Sequence, residues 1–243
     1  MKNIDRYLSG DYIKKNHSYH IEDNQFKWKN FLRILQLSHF NFRNINSIID
    51  IGCGSGQILI EANKSNFFNS ESVLKGYDIN PDAIDLAKKN SVKVSFFNQD
   101  FINLEDQKGD LIIAADVFEH VQDKYNFLTK LKDKGNFFLF NIPLEISLFS
   151  MIRKKNIFKY SFDNVGHLYF YTKRTALLTL ENSGFKILNF NLVNNRFEEF
   201  RNNKKILSML IIIPQYIIEK LSINLACSIF GGYSLVVLAN KRS

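Results

Sequence analysis

A chain of 243 residues that is 45% apolar and 23% charged has the composition of an ordinary globular protein with a sizeable core, which excludes a disordered chain. Its net charge of +8 is uneven, with 18 Lys/Arg against 19 Asp/Glu in residues 1–150 and 14 against 5 in residues 151–243. Two cysteines in no paired spacing exclude a zinc ribbon or disulfide scaffold, and the basic residues form no nucleic-acid recognition motif.

The first residues lack the apolar core of a signal peptide. Phe26, Phe31, Leu32, Ile34 and Leu35 then recur at helical spacing and predict an amphipathic helix over 26–37. A short apolar run over 45–51 ending in glycines predicts a buried parallel strand, with a helix over 57–63 behind it. The alternation continues with strands at 72–77, 92–97, 111–114 and 136–141 and helices at 81–89 and 124–131. Thr172 is placed to cap a helix that stops at Gly184, and strands follow at 185–193 and 233–239. Between those two strands, 203–230 reads as one long, apolar, helix-like segment. Its apolar run is broken by Ser208, Pro214 and Gln215, too early to span a bilayer. The pattern as a whole predicts a mostly parallel sheet covered by helices on both faces.

The strongest chemical signal is Asp50-Ile51-Gly52-Cys53-Gly54-Ser55-Gly56. A strand running into alternating glycines lets the backbone turn sharply and approach a ligand with no Cβ in the way. The next helix aims its first amides at the same place. The third glycine follows the second by two residues, whereas the dinucleotide fingerprint spaces them by three. Asp78 falls at the end of the second strand, where α/β nucleotide folds place a ribose-binding carboxylate, although a helix N-terminal acid would look the same. Asp100 and Phe101 follow the third strand; the acid can accept from an adenine amino group while the ring packs on the purine.

Together these motifs resemble those of class I S-adenosylmethionine-dependent methyltransferases. The resemblance continues through Asp110 to Val121, including Asp116-Val117-Phe118-Glu119-His120, and through Gly166-His167 to Thr172. Those later motifs are similar to the methyltransferase domain 23 group, which includes ubiquinone-pathway O-methyltransferases. The resemblance implies a Rossmann-like α/β fold with a seven-stranded, mostly parallel sheet and a reversed last strand. It implies S-adenosylmethionine as cofactor, contacted by Asp50, Gly52, Cys53, Gly54, Gly56, Asp78, Ile79, Asp100, Phe101 and Asp116. Tyr19 and His20 would close over it as a lid.

For a general base, His167 is the first candidate, because its loop precedes the predicted late helix on the substrate side of the sheet, and His120, just beyond the fourth strand, is the second. Each can equally serve to pin its loop. Asp116, Glu119 and His120 have the donor types of a divalent-metal site, but no residue is assigned as a metal ligand. The expected organisation is a single domain, with the lid and first helix over 1–40, a cofactor core over 41–145, and a substrate side over 146–243 carrying a helical insertion at 203–230. The expected function is cytoplasmic methylation of a small molecule, by preference a hydroxyl of a sugar or glycoconjugate precursor, with an anionic acceptor suited to the basic C-terminal region. Two alternatives are a quinone or lipid methyltransferase in peripheral contact with a membrane through Arg201, Lys204, Lys205 and Lys220, and a catalytically silent cofactor-binding protein.

Overall fold

The computed structural model describes residues 21–39, 44–91, 93–152, 157–203 and 209–242. Helix α1 (Ile21–Leu37) leads into strand β1 (Ser47–Ile51), followed by α2 (Gln57–Lys64), β2 (Val73–Asp78), α3 (Pro81–Asn90) and β3 (Ser95–Asn98). A 3₁₀ turn (Phe101–Asn103) precedes β4 (Gly109–Ala115), α4 (Lys124–Lys132) and β5 (Gly135–Leu144). Short helices α5 (Leu148–Ile152) and α6 (Ile157–Tyr160) run into a π turn (Ser161–Val165). Then come α7 (Lys173–Asn182), β6 (Phe185–Asn194), α8 (Asn195–Asn203), α9 (Met209–Leu221), α10 (Ile223–Phe230) and β7 (Tyr233–Lys241).

The strands form one seven-stranded sheet in the order β3-β2-β1-β4-β5-β7-β6. Neighbours from β3 to β5 are parallel, and β7 alone runs against both β5 and β6. That is the reversed last strand the sequence motifs imply. Strand pleating sends alternate residues to opposite faces, so each central strand contributes to two cores. Ile112, Ala114, Phe138, Phe140, Leu235 and Val237 face a core closed by α4, α7 and α10. Ile48, Leu111, Ile113, Leu139, Val236 and Leu238 face the other, closed by Trp28, Phe31 and Ile34 of α1 with side chains of α2 and α3. Burial on both sides explains why these strands read as unbroken apolar runs.

Local chemistry sets the element ends. Asn80 Oδ1 accepts from the amides of Asp82 and Ala83, capping α3 behind Pro81. Thr172 and Thr175 exchange side-chain-to-amide bonds as a capping box on α7, and Gly184 takes φ +90° beyond its end. The segment read as one helix-like stretch from 203 departs from expectation twice. Helix begins at Asn195, because Asn194 Oδ1 accepts the Phe197 amide at 3.4 Å and turns the strand end directly into a helix. It is divided again at Ser222, whose Oγ caps α10 by accepting the Leu225 amide at 3.3 Å. The third strand is also shorter than predicted, Ser95–Asn98 rather than 92–97, with Val92 outside the described residues.

Phe138 sits at the middle of the sheet, fully buried against Phe140 and Phe185. Phe138→Ala is expected to destabilise the fold by about 3–5 kcal/mol, and the half-exposed Leu178→Ala by about 0.5 kcal/mol or less. Midpoints of urea unfolding check the contrast.

Candidate functional site

The candidate residues gather over the carboxyl ends of the parallel strands, beginning with the turn that leaves β1. Gly52, Gly54 and Gly56 have φ of +66°, +52° and +76°, a backbone state that side-chain-bearing residues rarely adopt. The turn is fastened to β2, because the amides of Gly52 and Cys53 both donate to Tyr77 O at 2.8 and 3.1 Å. A Cβ on Gly56 would stand 2.3 Å from the Phe96 ring and one on Gly52 2.9 Å from Val117, so packing as well as φ requires glycine there. A Cβ on Gly54 would meet nothing within 4 Å. The turn is thus closed beneath and open above Gly54, with the N-terminus of α2 directly behind it.

Carboxylates surround that opening. Asp78 accepts from the Gly54 amide at 2.9 Å and the Asn80 amide at 2.8 Å, so it ties the glycine turn to the end of β2. Burial raises its pKa, and the amide bonds pull it back. Asp50 is fully buried, and neither carboxylate oxygen has a hydrogen-bond partner among the described residues. Burial, with Asp78 close by, holds its pKa well above the usual carboxylate range, opposed by the positive charge of Lys27. Cys53 is a buried thiol pushed up by desolvation and the two acids, a small inert residue in the turn. Ile79 leaves a partly exposed apolar side chain beside Asp78. Asp100 caps the 3₁₀ turn, accepting from the Ile102 amide and Asn103 Nδ2. That turn drives Phe101 inward against Tyr77, ring centroids 5.0 Å apart, so the ring belongs to the core.

Asp116 leaves β4 with φ +56°, a left-handed conformation that aspartate tolerates better than most residues. Asn141 Nδ2 donates to its Oδ1 at 2.6 Å, and Lys27 of α1 pairs with its Oδ2 at 2.8 Å. The positive charge of Lys27 also reaches Glu119. The family resemblance extends to Lys27 without giving it a site role, and the packing of α1 brings it to Asp116.

Farther along, Glu119, His120 and His167 present ligand atoms within 4.8 Å of one another, and the two imidazoles lie with centroids 4.7 Å apart. The donor set for a cation is therefore Glu119 with both histidines, while Asp116 is committed to Lys27 and Asn141. His120 Nδ1 lies 3.1 Å from Gly166 O, which only accepts, so Nδ1 carries the proton. His167 Nδ1 donates to Glu145 Oε2 at 2.7 Å, and Ser161 Oγ donates to the other oxygen of Glu145 at 2.5 Å. The His120 ring thus carries its unprotonated nitrogen at Nε2. Burial and the neighbouring His167 lower the His120 pKa to about 4. Burial, then Asp116, hold the Glu119 carboxyl well above its usual range, and its oxygens have no hydrogen-bond partner among the described residues. Tyr171, whose buried hydroxyl is likewise without one, is raised by burial and by Glu119. The carbonyl of Glu119 accepts the Leu168 and Tyr169 amides, fixing the His167 loop against the exit of β4.

Glu145 escapes the sequence reading, although an acid just past the carboxyl end of β5 is positioned like Asp50, Asp78 and Asp116. It also lines a cavity of about 210 Å³ between β5, β7 and the late helices, walled by Phe149, Phe230, Ser150, Asn195 and Arg196 among others. Tyr19 and His20, the expected lid, lie outside the described residues.

Comparison with known proteins gives a consistent picture. A family model described as a methyltransferase domain matches residues 21–189. The ubiquinone biosynthesis O-methyltransferase of Rickettsia bellii is 26% identical over 149 residues, covering 56% of this chain and 61% of that protein. The chain therefore matches about six tenths of the length of this curated relative. The magnesium protoporphyrin IX methyltransferase of Synechocystis PCC 6803, solved with bound SAH, superposes with a TM-score of 0.57 at 16% identity, covering 90% of this chain and 83% of that one. A SAM-dependent methyltransferase from Archaeoglobus fulgidus gives 0.58 at 19% identity, covering 91% and 94%.

The His120 environment makes a direct prediction. Its ring should show no titration between about pH 7.5 and 5.5, read from the Cε1–H resonance, whereas a midpoint at the ordinary 6.5 would contradict the buried, neutral ring. Unfolding frees that ring to take a proton, so its burial lowers stability as pH falls from 6.5 toward 4.

Proposed function

From a chain that belongs to the methyltransferase-domain family, of the class I S-adenosylmethionine-dependent type, we propose methyl transfer from S-adenosylmethionine to an oxygen of a small-molecule acceptor. The carrying observation is the glycine turn, open above Gly54 and flanked by a buried Asp50 whose oxygens lack a hydrogen-bond partner among the described residues. Buried carboxylate oxygens beside a backbone cradle that is open above Gly54 suit a cationic ligand, and the cofactor is a sulfonium that also carries an ammonium group. Bound there, it supplies an electrophilic methyl group.

The residues divide by chemistry. Gly52, Cys53, Gly54 and Gly56 offer backbone at the methionine portion, and the Asp78 carboxylate accepts from the ribose hydroxyls. Ile79 and the exposed Asp100 bracket the adenine, joined by the backbone of Phe101. Asp116 and Lys27 form a ready-made partner for an amino-acid head group, the acid for its ammonium and the lysine for its carboxylate. In-line displacement depends mainly on holding the acceptor oxygen in place. His167 serves as the base, its Nε2 taking the hydroxyl proton while Glu145 holds Nδ1–H. His120, neutral and held by Gly166 O, stands against it and keeps its orientation.

The acceptor we favour is a hydroxyl of a sugar or glycoconjugate precursor. The cavity beside Glu145 supports this choice, with Phe149 and Phe230 stacked 5.2 Å apart near Asn195, Arg196 and Ser150. Rings take the apolar face of a pyranose while the polar wall meets its hydroxyls.

Two measurements test the proposal. Asp78→Ala removes acceptors for charged hydrogen bonds worth about 1.5–3 kcal/mol each, so the dissociation constant for S-adenosylmethionine should rise about tenfold to a hundredfold by calorimetry. Unchanged affinity would contradict the cofactor site. His167→Ala should lower kcat/KM by roughly a hundredfold or more with cofactor affinity intact, and full activity would remove His167 as the base.

A further inference from the structure

One carboxyl beyond the end of β4 is left unused by the methyl transfer. Glu119 is fully buried, and neither of its side-chain oxygens has a hydrogen-bond partner among the described residues. The Tyr171 hydroxyl, within electrostatic reach of that carboxyl, is buried and lacks one as well. Native proteins pair nearly all their buried polar groups, so such orphans mark a place where a polar ligand completes the bonding. The fold makes no visible use of the carboxyl. It is the carbonyl of Glu119 that holds the His167 loop, by accepting the Leu168 and Tyr169 amides. An unpaired acid in the interior costs stability, a cost that a purely structural position has no reason to carry.

The neighbours of the carboxyl define the chemistry that suits it. Ligand atoms of Glu119, His120 and His167 all fall within 4.8 Å of one another, yet the carboxyl bonds to neither ring. Glu119 is the deepest of the three and His120 the most exposed, so the carboxyl is reached past the imidazoles. Adjacent hydroxyls on a sugar ring lie roughly a hydrogen-bond length apart. One can therefore meet the His167 ring while its neighbour meets Glu119. A lone hydroxyl would serve the imidazole and leave the carboxyl orphaned. The pairing holds in either protonation state, because an ionised carboxylate accepts from a hydroxyl and a protonated one donates to its oxygen. Glu145, which holds His167, also lines the cavity with the stacked Phe149 and Phe230 rings, where the rest of a sugar ring fits.

We propose, resting on the methyl-transfer reading, that Glu119 holds a second hydroxyl of the acceptor, so that the acceptor is a vicinal diol of a sugar ring. His167 faces the hydroxyl that is methylated, and Glu119 faces the one beside it. As the acceptor oxygen bonds to the methyl carbon, the carbon–sulfur bond breaks and S-adenosylhomocysteine leaves, while the hydroxyl proton passes to His167. The neighbouring hydroxyl keeps its proton, and its bond to Glu119 selects which oxygen of the pair reacts.

The test is transfer of labelled methyl from S-adenosylmethionine, by the full chain, to the carbohydrate-precursor fraction of an extract of the cells that make it. Half of the fraction is first oxidised with periodate, which cleaves between carbons bearing adjacent hydroxyls, and then quenched. The expected result is incorporation into the untreated half that is largely lost in the oxidised half. Glu119→Met keeps the side-chain bulk without the polar atoms and should raise the acceptor KM about tenfold or more, with a smaller effect on kcat. Glu119→Gln, which can still bond a hydroxyl, should recover part of that loss. The urea midpoint of Glu119→Met should equal or exceed that of the unsubstituted chain, because an orphaned buried acid has been removed. A merely structural role predicts the reverse, a lower midpoint with KM unmoved. Incorporation that survives periodate in full would overturn the diol and leave the methyl-transfer reading standing, whereas no incorporation into either half would overturn both. An unchanged KM in Glu119→Met would also overturn the proposal, and activity lost to EDTA and regained with magnesium would then assign the carboxyl to a cation.

Discussion

The geometry of the site depends on one fastening, the attachment of the β1 glycine turn to the end of β2. Tyr77 O takes two amides of the turn and Asp78 takes a third, so three consecutive residues, Gly52 to Gly54, are fixed by a neighbouring strand. A turn with three positive-φ glycines is otherwise among the most entropically costly segments to order. Because β1 and β2 are parallel and in register from Ser47↔Val73 to Ile51↔Tyr77, the turn can sit in only one place relative to Asp78. The sheet thereby turns a flexible sequence into a fixed cradle.

A second constraint is electrostatic. Asp50, Asp116 and Glu119 lie within reach of one cation, Lys27, which pairs directly with Asp116 and acts at longer range on the other two. Burying acids without full compensation costs stability, and such groups either take up a proton or wait for a positively charged ligand. The raised pKa values of Asp50 and Glu119 are the structural record of that cost. A site strained in this way is stabilised by binding a cation, which links the energetics of the fold to the cofactor proposed for it.

The sequence made the core of this arrangement readable because its signals are local. Glycine spacing, an acid at a strand end, a Thr cap and a Gly stop each act within a few residues, and strands buried on both faces announce themselves as apolar runs. Pairings formed across the fold were not readable. Glu145 meets His167 through a π turn, and Lys27 reaches Asp116 from a helix laid over the opposite end of the chain. The place of the Phe101 ring was not readable for a related reason: Asp100 caps a 3₁₀ turn, and the ring packs in the core against Tyr77. The start of α8 was hidden because asparagine side chains, rather than a hydrophobic period, turn the end of β6 into helix.

The central claim is that the cradle over Gly54 holds the cofactor between Asp50 and Asp78, with Lys27 and Asp116 at the amino-acid end. A crystal structure of the chain grown with S-adenosylhomocysteine tests it directly. The account predicts ribose hydroxyls on the Asp78 carboxylate, adenine beside Ile79 and Asp100, and the amino-acid group at Lys27 and Asp116. Density for the ligand away from the Gly54 opening, or an intact Lys27–Asp116 region with the ligand bound elsewhere, would contradict it.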